Sequence, residues 1–149
     1  MGIGVSFMAE ALAQARAAAA RGEVPVGAVI VSAGRIVARA GNRTLELKDP
    51  TAHAELLVIR DAAAALGSER LTGCDLWVTL EPCAMCAAAI SFARLRRLYY
   101  GAADPKMGGV EHGPQFFRQP TCHHRPEVYP GIAERESAEL LKDFFAARR

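Results

Sequence analysis

The chain has 149 residues, 51% of them hydrophobic, with a formal net charge of +2 and four cysteines. That length suits one domain over residues 1–149 with a real core, and the mild charge permits an RNA partner without demanding one. No apolar run approaches the roughly 20 residues that span a bilayer. Residues 1–7 lack the charged and apolar regions of a signal peptide. A cytoplasmic location is therefore expected, where cysteines read as metal or redox chemistry before disulfides.

In chain order, helices and strands alternate. Residues 7–21 are alanine-rich and place Phe7, Met8, Ala11, Leu12 and Ala15 at helical spacing, with Ser6 able to cap the start and Gly22 the end. The β-branched run 24–31 reads as a strand, with Pro25 confined to its beginning or to an edge. After the Ser32-Ala33-Gly34 turn, residues 35–40 alternate as an antiparallel strand. A polar loop then leads to a second helix over 52–66, stopped by Gly67, whose Leu56, Leu57, Ile59, Ala63 and Leu66 suggest one buried face. A third strand spans 75–80. A third helix, 83–93, carries Ala87, Ala88, Ala89, Ile90 and Phe92 and should be buried. After the basic stretch 94–97, residues 98–101 resemble a fourth strand, and 127–129 a short edge strand. The Gly- and Pro-rich remainder of 102–130 shows no clear period. Residues 134–147 form a closing amphipathic helix. This order implies one partly parallel sheet with helices on both faces.

Two polar clusters carry the chemistry. In Pro82-Cys83-Ala84-Met85-Cys86 the cysteines stand at i and i+3, neighbours on a helix that Pro82 is suited to open. The positive end of such a helix favours the thiolate that binds metal. Upstream, His53 supplies an imidazole, its other ring nitrogen free for an outer acceptor. Two thiolates and one imidazole make three ligands and leave a fourth tetrahedral position of zinc open, a catalytic count rather than a structural one. Glu55 lies two residues beyond His53, roughly 200° around a regular helix. The two converge only if His53 sits at the helix entrance, where Asp49-Pro50-Thr51 precedes it. Glu55 then takes a proton from the water that zinc activates, passes it to a ring nitrogen, and later protonates a leaving amine. The His-x-Glu…Pro-Cys-x-x-Cys arrangement is the pattern of zinc deaminases of nucleobases.

Plainer readings stand beside these. A lone Cys-x-x-Cys also serves as a redox pair or half of a structural zinc knuckle, and a lone Glu55 as a solvated helix-start charge. Cys122-His123-His124, with His112 nearby, offers a second set of metal-binding side chains at irregular spacing. Cys74 reads as a core or turn thiol. Arg94, Arg96 and Arg97 are either a solvated run or phosphate contacts.

Over nearly its whole length the chain resembles the bacterial tRNA-specific adenosine deaminases of the cytidine deaminase superfamily. The resemblance is carried by Glu23-Val24-Pro25-Val26-Gly27-Ala28-Val29, Gly41-Asn42-Arg43, Asp49-Pro50-Thr51-Ala52-His53-Ala54-Glu55, Thr79-Leu80-Glu81-Pro82-Cys83-Ala84-Met85-Cys86-Ala87 and Leu140-Leu141-Lys142-Asp143-Phe144-Phe145. It implies a three-layer α/β/α domain with a five-stranded mixed sheet, one zinc ion per subunit, and a homodimer with active sites near the subunit interface. It implies conversion of adenosine to inosine at the wobble position of a tRNA anticodon stem-loop, an arginine tRNA in particular, with neither DNA nor membrane as partner. His53, Cys83 and Cys86 would hold zinc and Glu55 would shuttle protons. Asn42 would hydrogen-bond the flipped base, the backbone N–H of Ala54 would help orient it, and Val26 would form an apolar wall. Asp104 would meet a ribose hydroxyl, a contact that distinguishes RNA from DNA. Lys106, Arg125, Arg148 and Arg149 are candidate phosphate contacts. The segment 107–126 departs from the family's best-known loop, with Cys122-His123-His124-Arg125 where an Asn-His-Arg-like run is expected.

Two other classes use the same residues. One is a deaminase of a free base or nucleoside (guanine, cytosine or cytidine), whose pocket would close over its ligand beneath the C-terminal segment. An RNA substrate instead needs a pocket open on one side with basic rims. The other is a non-catalytic zinc module, in which Glu55 beside an open coordination position would have no use.

Overall fold

The computed structural model describes residues 6–148. Residues 1–5, part of the signal-peptide window, and Arg149, one of the candidate phosphate contacts, lie outside them. The described elements run α1 (Met8–Ala20), β1 (Gly27–Ser32), β2 (Arg35–Gly41), α2 (Ala54–Leu66), β3 (Asp75–Leu80), α3 (Ala84–Phe92), β4 (Arg97–Ala102), β5 (Glu127–Tyr129) and α4 (Glu134–Ala146), with a 3₁₀ turn at Phe116–Arg118. They form one five-stranded sheet in the order β2-β1-β3-β4-β5. β1 is antiparallel to both β2 and β3, whereas β3, β4 and β5 run parallel.

Alternate side chains of each strand point to opposite faces, and both faces are apolar because both are covered. Val29, Val31 and Trp77 pack with Met8, Ala11 and Leu12 of α1, joined by Leu140 of α4. Ala28, Ile30, Leu76, Val78, Leu98 and Tyr100 face Ala54, Val58 and Ala62 of α2 and Ala87 and Ile90 of α3. The result is the expected three-layer α/β/α arrangement. α1 crosses β1 so closely that a Cβ on Gly27 would run into the backbone of Ala11 and Ala15.

The elements differ from the sequence expectation where local geometry overrides pattern. β1 starts at Gly27 because the chain turns tightly before it: the Val26 amide donates to the Val24 carbonyl at 2.8 Å. α2 buries Ala54, Val58 and Ala62, at i, i+4 and i+8, instead of its larger leucines. Small residues let the helix approach the sheet, while Leu66 stays 44% exposed. α3 likewise buries Ala87 and Ile90 but leaves Phe92 75% exposed. Pro82 does not open α3. Cys83, with φ −71° and ψ 175°, is the cap residue, so Pro82 precedes the cap and aims it.

Candidate active site

Two helix N-termini meet at the cluster. His53 caps α2 in an extended conformation (φ −75°, ψ 151°), which frees its ring from the helical path. Cys83 caps α3, and Cys86 lies buried in the first turn of that helix. The His53 Nδ1 atom is 3.7 Å from Cys83 Sγ and 3.6 Å from Cys86 Sγ. Zinc bound at about 2.3 Å from sulfur and about 2.0–2.1 Å from nitrogen, at tetrahedral angles, places such atoms about 3.6 Å apart. The donor set therefore fits a zinc ion without rearrangement. Among the described residues this is the one group of three or more His, Cys, Asp or Glu side chains spaced for a metal. The Cys86 thiol hydrogen-bonds Cys83 and holds its pKa well below the usual thiol range, while the same contact and burial push Cys86 up. The pair shares a proton that a cation displaces.

Glu55, in the first turn of α2, is 4% exposed and lies beside the Cys86 thiol. Burial pushes its carboxyl up to about 7, where it can both accept and donate a proton near neutral pH. Asn42 follows β2. Its backbone N–H donates to the Val26 carbonyl at 3.1 Å, and its side-chain Oδ1 accepts the Ala54 amide at 2.8 Å. Asn42, Val26 and Ala54 thus sit together at the mouth of α2, with Val26 and Ala54 buried.

Two buried carboxylates to which the sequence alone assigns no role hold the surrounding loops. Glu23 accepts the amides of Leu45 (3.2 Å) and Glu46 (2.9 Å) and the Thr44 hydroxyl (3.4 Å), fixing the loop after Asn42. Glu81 accepts the amides of Asp104 (3.0 Å), Val110 (3.2 Å), Glu111 (2.9 Å) and His112 (3.1 Å). Both fall within segments that carry the family resemblance, and each is a charge beside apolar residues, which are the sequence signals that mark them.

Asp104 is half-buried, and its Oδ1 accepts the amides of Lys106 (3.2 Å) and Met107 (3.1 Å). Both Asp104 and Lys106 line a cleft of about 700 Å³ with Val24, Leu80, Met107, Leu141, Phe145 and Arg148. The Arg148 guanidinium lies 3.5 Å from the centre of the Phe144 ring. Other basic candidates have structural partners. Arg96 makes a bidentate pair with Asp75 at 2.9 and 2.7 Å, Arg97 pairs with Glu127 at 3.5 Å, and Arg125 bonds the Phe117 carbonyl. The Cys122-His123-His124 run and His112 do not converge. His112 turns to Glu81, and His124 Nε2 lies 2.6 Å from the Leu95 carbonyl. Cys74 is a buried core thiol.

A site with three donors for one metal and a buried carboxylate beside them is the arrangement of a zinc deaminase. Residues 3–102 match the family described as the cytidine and deoxycytidylate deaminase zinc-binding region. Over 143 residues the chain is 67% identical to a tRNA-specific adenosine deaminase of Agrobacterium fabrum, covering 96% of this chain and 94% of that one. A tRNA-specific adenosine deaminase of Bacillus subtilis is 43% identical, covering 96% and 89%. A structure solved in studies of A-to-I editing by tRNA:A34 deaminases superimposes with a TM-score of 0.90 at 69% identity, covering 91% of this chain and 98% of its own. A guanine deaminase from Bacillus subtilis is more distant, at TM-score 0.66 and 32% identity over 95% of this chain and 91% of its own. The chain belongs to the cytidine deaminase family and, within it, to the tRNA-specific adenosine deaminases.

Proposed function

We propose that this protein deaminates adenosine to inosine at the wobble position of a tRNA anticodon, an arginine tRNA first among them, and that residues 1–149 act as one catalytic domain. The carrying observation is the convergence of His53, Cys83 and Cys86 at zinc-ligand spacing, with Glu55 buried against them. His53 Nδ1 and the two sulfurs would hold zinc, which when bound would supply Lewis-acid activation of water toward C6 of the base. Glu55 removes a proton from that water and delivers it to the ring nitrogen beside C6. It then takes the remaining proton from the added oxygen and gives it to the exocyclic amino group, which leaves as ammonia. Its burial keeps the carboxyl in the pKa range that both transfers need. Asn42, whose oxygen is taken by Ala54, keeps its amide N–H groups as donors for a ring nitrogen acceptor. Val26 closes the apolar side of the pocket.

The open cleft supports an RNA substrate over a free base. Asp104, Lys106 and Arg148 line it beside Phe145, giving an acceptor for a ribose hydroxyl, cations for phosphate and a ring for stacking. The C-terminal segment lends Leu141, Phe145 and Arg148 to one wall of this cleft. The half-buried Leu57, Ile59 and Ala63 of α2 and the exposed Phe92 at the end of α3 support a homodimer through that layer. No helix among the described residues is long and apolar enough to cross a membrane, which suits an enzyme acting on tRNA in the cytoplasm.

The test is a substrate panel for the zinc-loaded protein: arginine-tRNA and other anticodon stem-loops beside free adenosine, guanine, cytidine and cytosine. Inosine confined to the wobble position of the stem-loop is the expected result. Turnover of a free base with the stem-loop untouched would move the same zinc chemistry to a small-molecule substrate.

A further inference from the structure

Glu81 has no part in the proton transfers, yet it is the most heavily coordinated side chain near the site. Its side chain has no solvent exposure, and His112 Nδ1 lies 2.8 Å from Oε1. Oε1 also takes the Asp104 amide, and Oε2 takes those of Val110, Glu111 and His112. A carboxylate has about four lone-pair sites, and here all of them are directed at one segment of chain. The segment is pressed onto it: a Cβ on Gly108 would collide with Oε2. Two further bonds join the same segment to the start of α3, the Gly109 amide to the Pro82 carbonyl at 2.8 Å and a β-bridge between Gly108 and Cys83.

The location gives these contacts a consequence. Glu81 stands two positions before Cys83, while the segment it gathers begins at Asp104 and carries Lys106. Of the apolar side chains in residues 103–112 only Val110 is buried, so the segment is held mainly by hydrogen bonds to charge. Backbone donors to a buried carboxylate are costly to leave unmade, which makes the arrangement effectively two-state: gathered or released.

We propose that Glu81 is a positioning residue for RNA recognition, gathering residues 104–112 so that Asp104 and Lys106 present themselves to the substrate in register with the zinc site. This rests on the reading of Asp104 and Lys106 as RNA contacts given above. Those contacts lie away from the reacting carbon and act alike on ground and transition states, so loosening them raises KM and leaves kcat nearly unchanged.

The experiment compares zinc-loaded wild-type protein with Glu81→Gln and His112→Gln, the latter removing a single half-exposed contact should the former not fold. Steady-state kinetics on the anticodon stem-loop are read together with zinc content and amide hydrogen exchange. Glu81→Gln is expected to raise KM on the order of tenfold at similar kcat, with zinc retained. His112→Gln should move KM in the same direction by less. Exchange at Val110, Glu111 and His112 should accelerate while the amides of α2 stay protected. An unchanged KM in both variants, or a fall in kcat that tracks lost zinc, would overturn the proposal. Wild-type protein silent on the stem-loop would refute the functional reading instead. In that case the exchange data would still decide whether Glu81 holds the segment.

Discussion

The Ala54 amide donates to Oδ1 of Asn42 across 2.8 Å, tying the residue after β2 to the first turn of α2. One bond thus caps a helix N–H and fixes which end of the Asn42 amide is left free. Asn42→Asp keeps the cap and removes the free donor, whereas Asn42→Ala removes both. Both variants should lose about 5- to 30-fold in kcat/KM on the stem-loop, the size of one or two kcal/mol of hydrogen bonding. Asn42→Ala alone should also lower the thermal midpoint. An Asn42→Asp enzyme of wild-type efficiency would show that the donor is not used.

Zinc retention should fall as pH falls, because the ligands must be deprotonated to bind and acid returns protons to the thiol pair and the imidazole. Chelator competition from about pH 8 down to pH 5 should show a steady loss of affinity. Cys83→Ser or Cys86→Ser removes a ligand outright and should weaken zinc by more than the roughly 10- to 100-fold typical of an outer-shell change. Zinc quantified after dialysis checks this.

Glu23 links stability to pH. Burial alone would raise its pKa, but the donations from Glu46, Leu45 and Thr44 outweigh burial and hold it below the ordinary value of 4.5. A depressed carboxylate stabilises the fold above that ordinary value, and the contribution disappears as pH falls through the lower folded value. Glu23→Gln should therefore cost about 1–3 kcal/mol at pH 7. The difference from wild type should shrink in acid. Thermal melts of both proteins across pH 3–7 read the effect, and a constant gap would exclude a charged role for Glu23.

Gly27→Ala should destabilise the protein by at least about 1–3 kcal/mol, since the added methyl meets helix backbone that has no rotamer to yield. A urea midpoint measures it. Gly34→Ala serves as a spatial control: nothing lies within 4 Å of a Cβ there, although its φ of +77° carries its own backbone cost.

Much of this architecture is legible in the sequence because its signals are local. The β-branched runs before Ser32 and Leu80, the stop at Gly67, the Cys83–Cys86 spacing and the short motif around His53 each depend on a few adjacent residues. Phe92 and Leu66 mislead, because an apolar helix announces burial without saying which face its own sheet covers. Residues 102–130 have no period to read, since they are held by Glu81, by His124 on the Leu95 carbonyl and by Arg125 on the Phe117 carbonyl. Such bonds run from side chain to main chain, and the main-chain partner leaves no trace in residue type.

The most direct test is inosine formation at the wobble adenosine of an arginine-tRNA stem-loop by wild-type protein and by Glu55→Gln, each with one zinc per chain confirmed. Editing by the wild type and a loss of at least about 10²-fold in the variant at equal zinc is the predicted result. Undiminished editing by Glu55→Gln would contradict the assignment of proton transfer to Glu55.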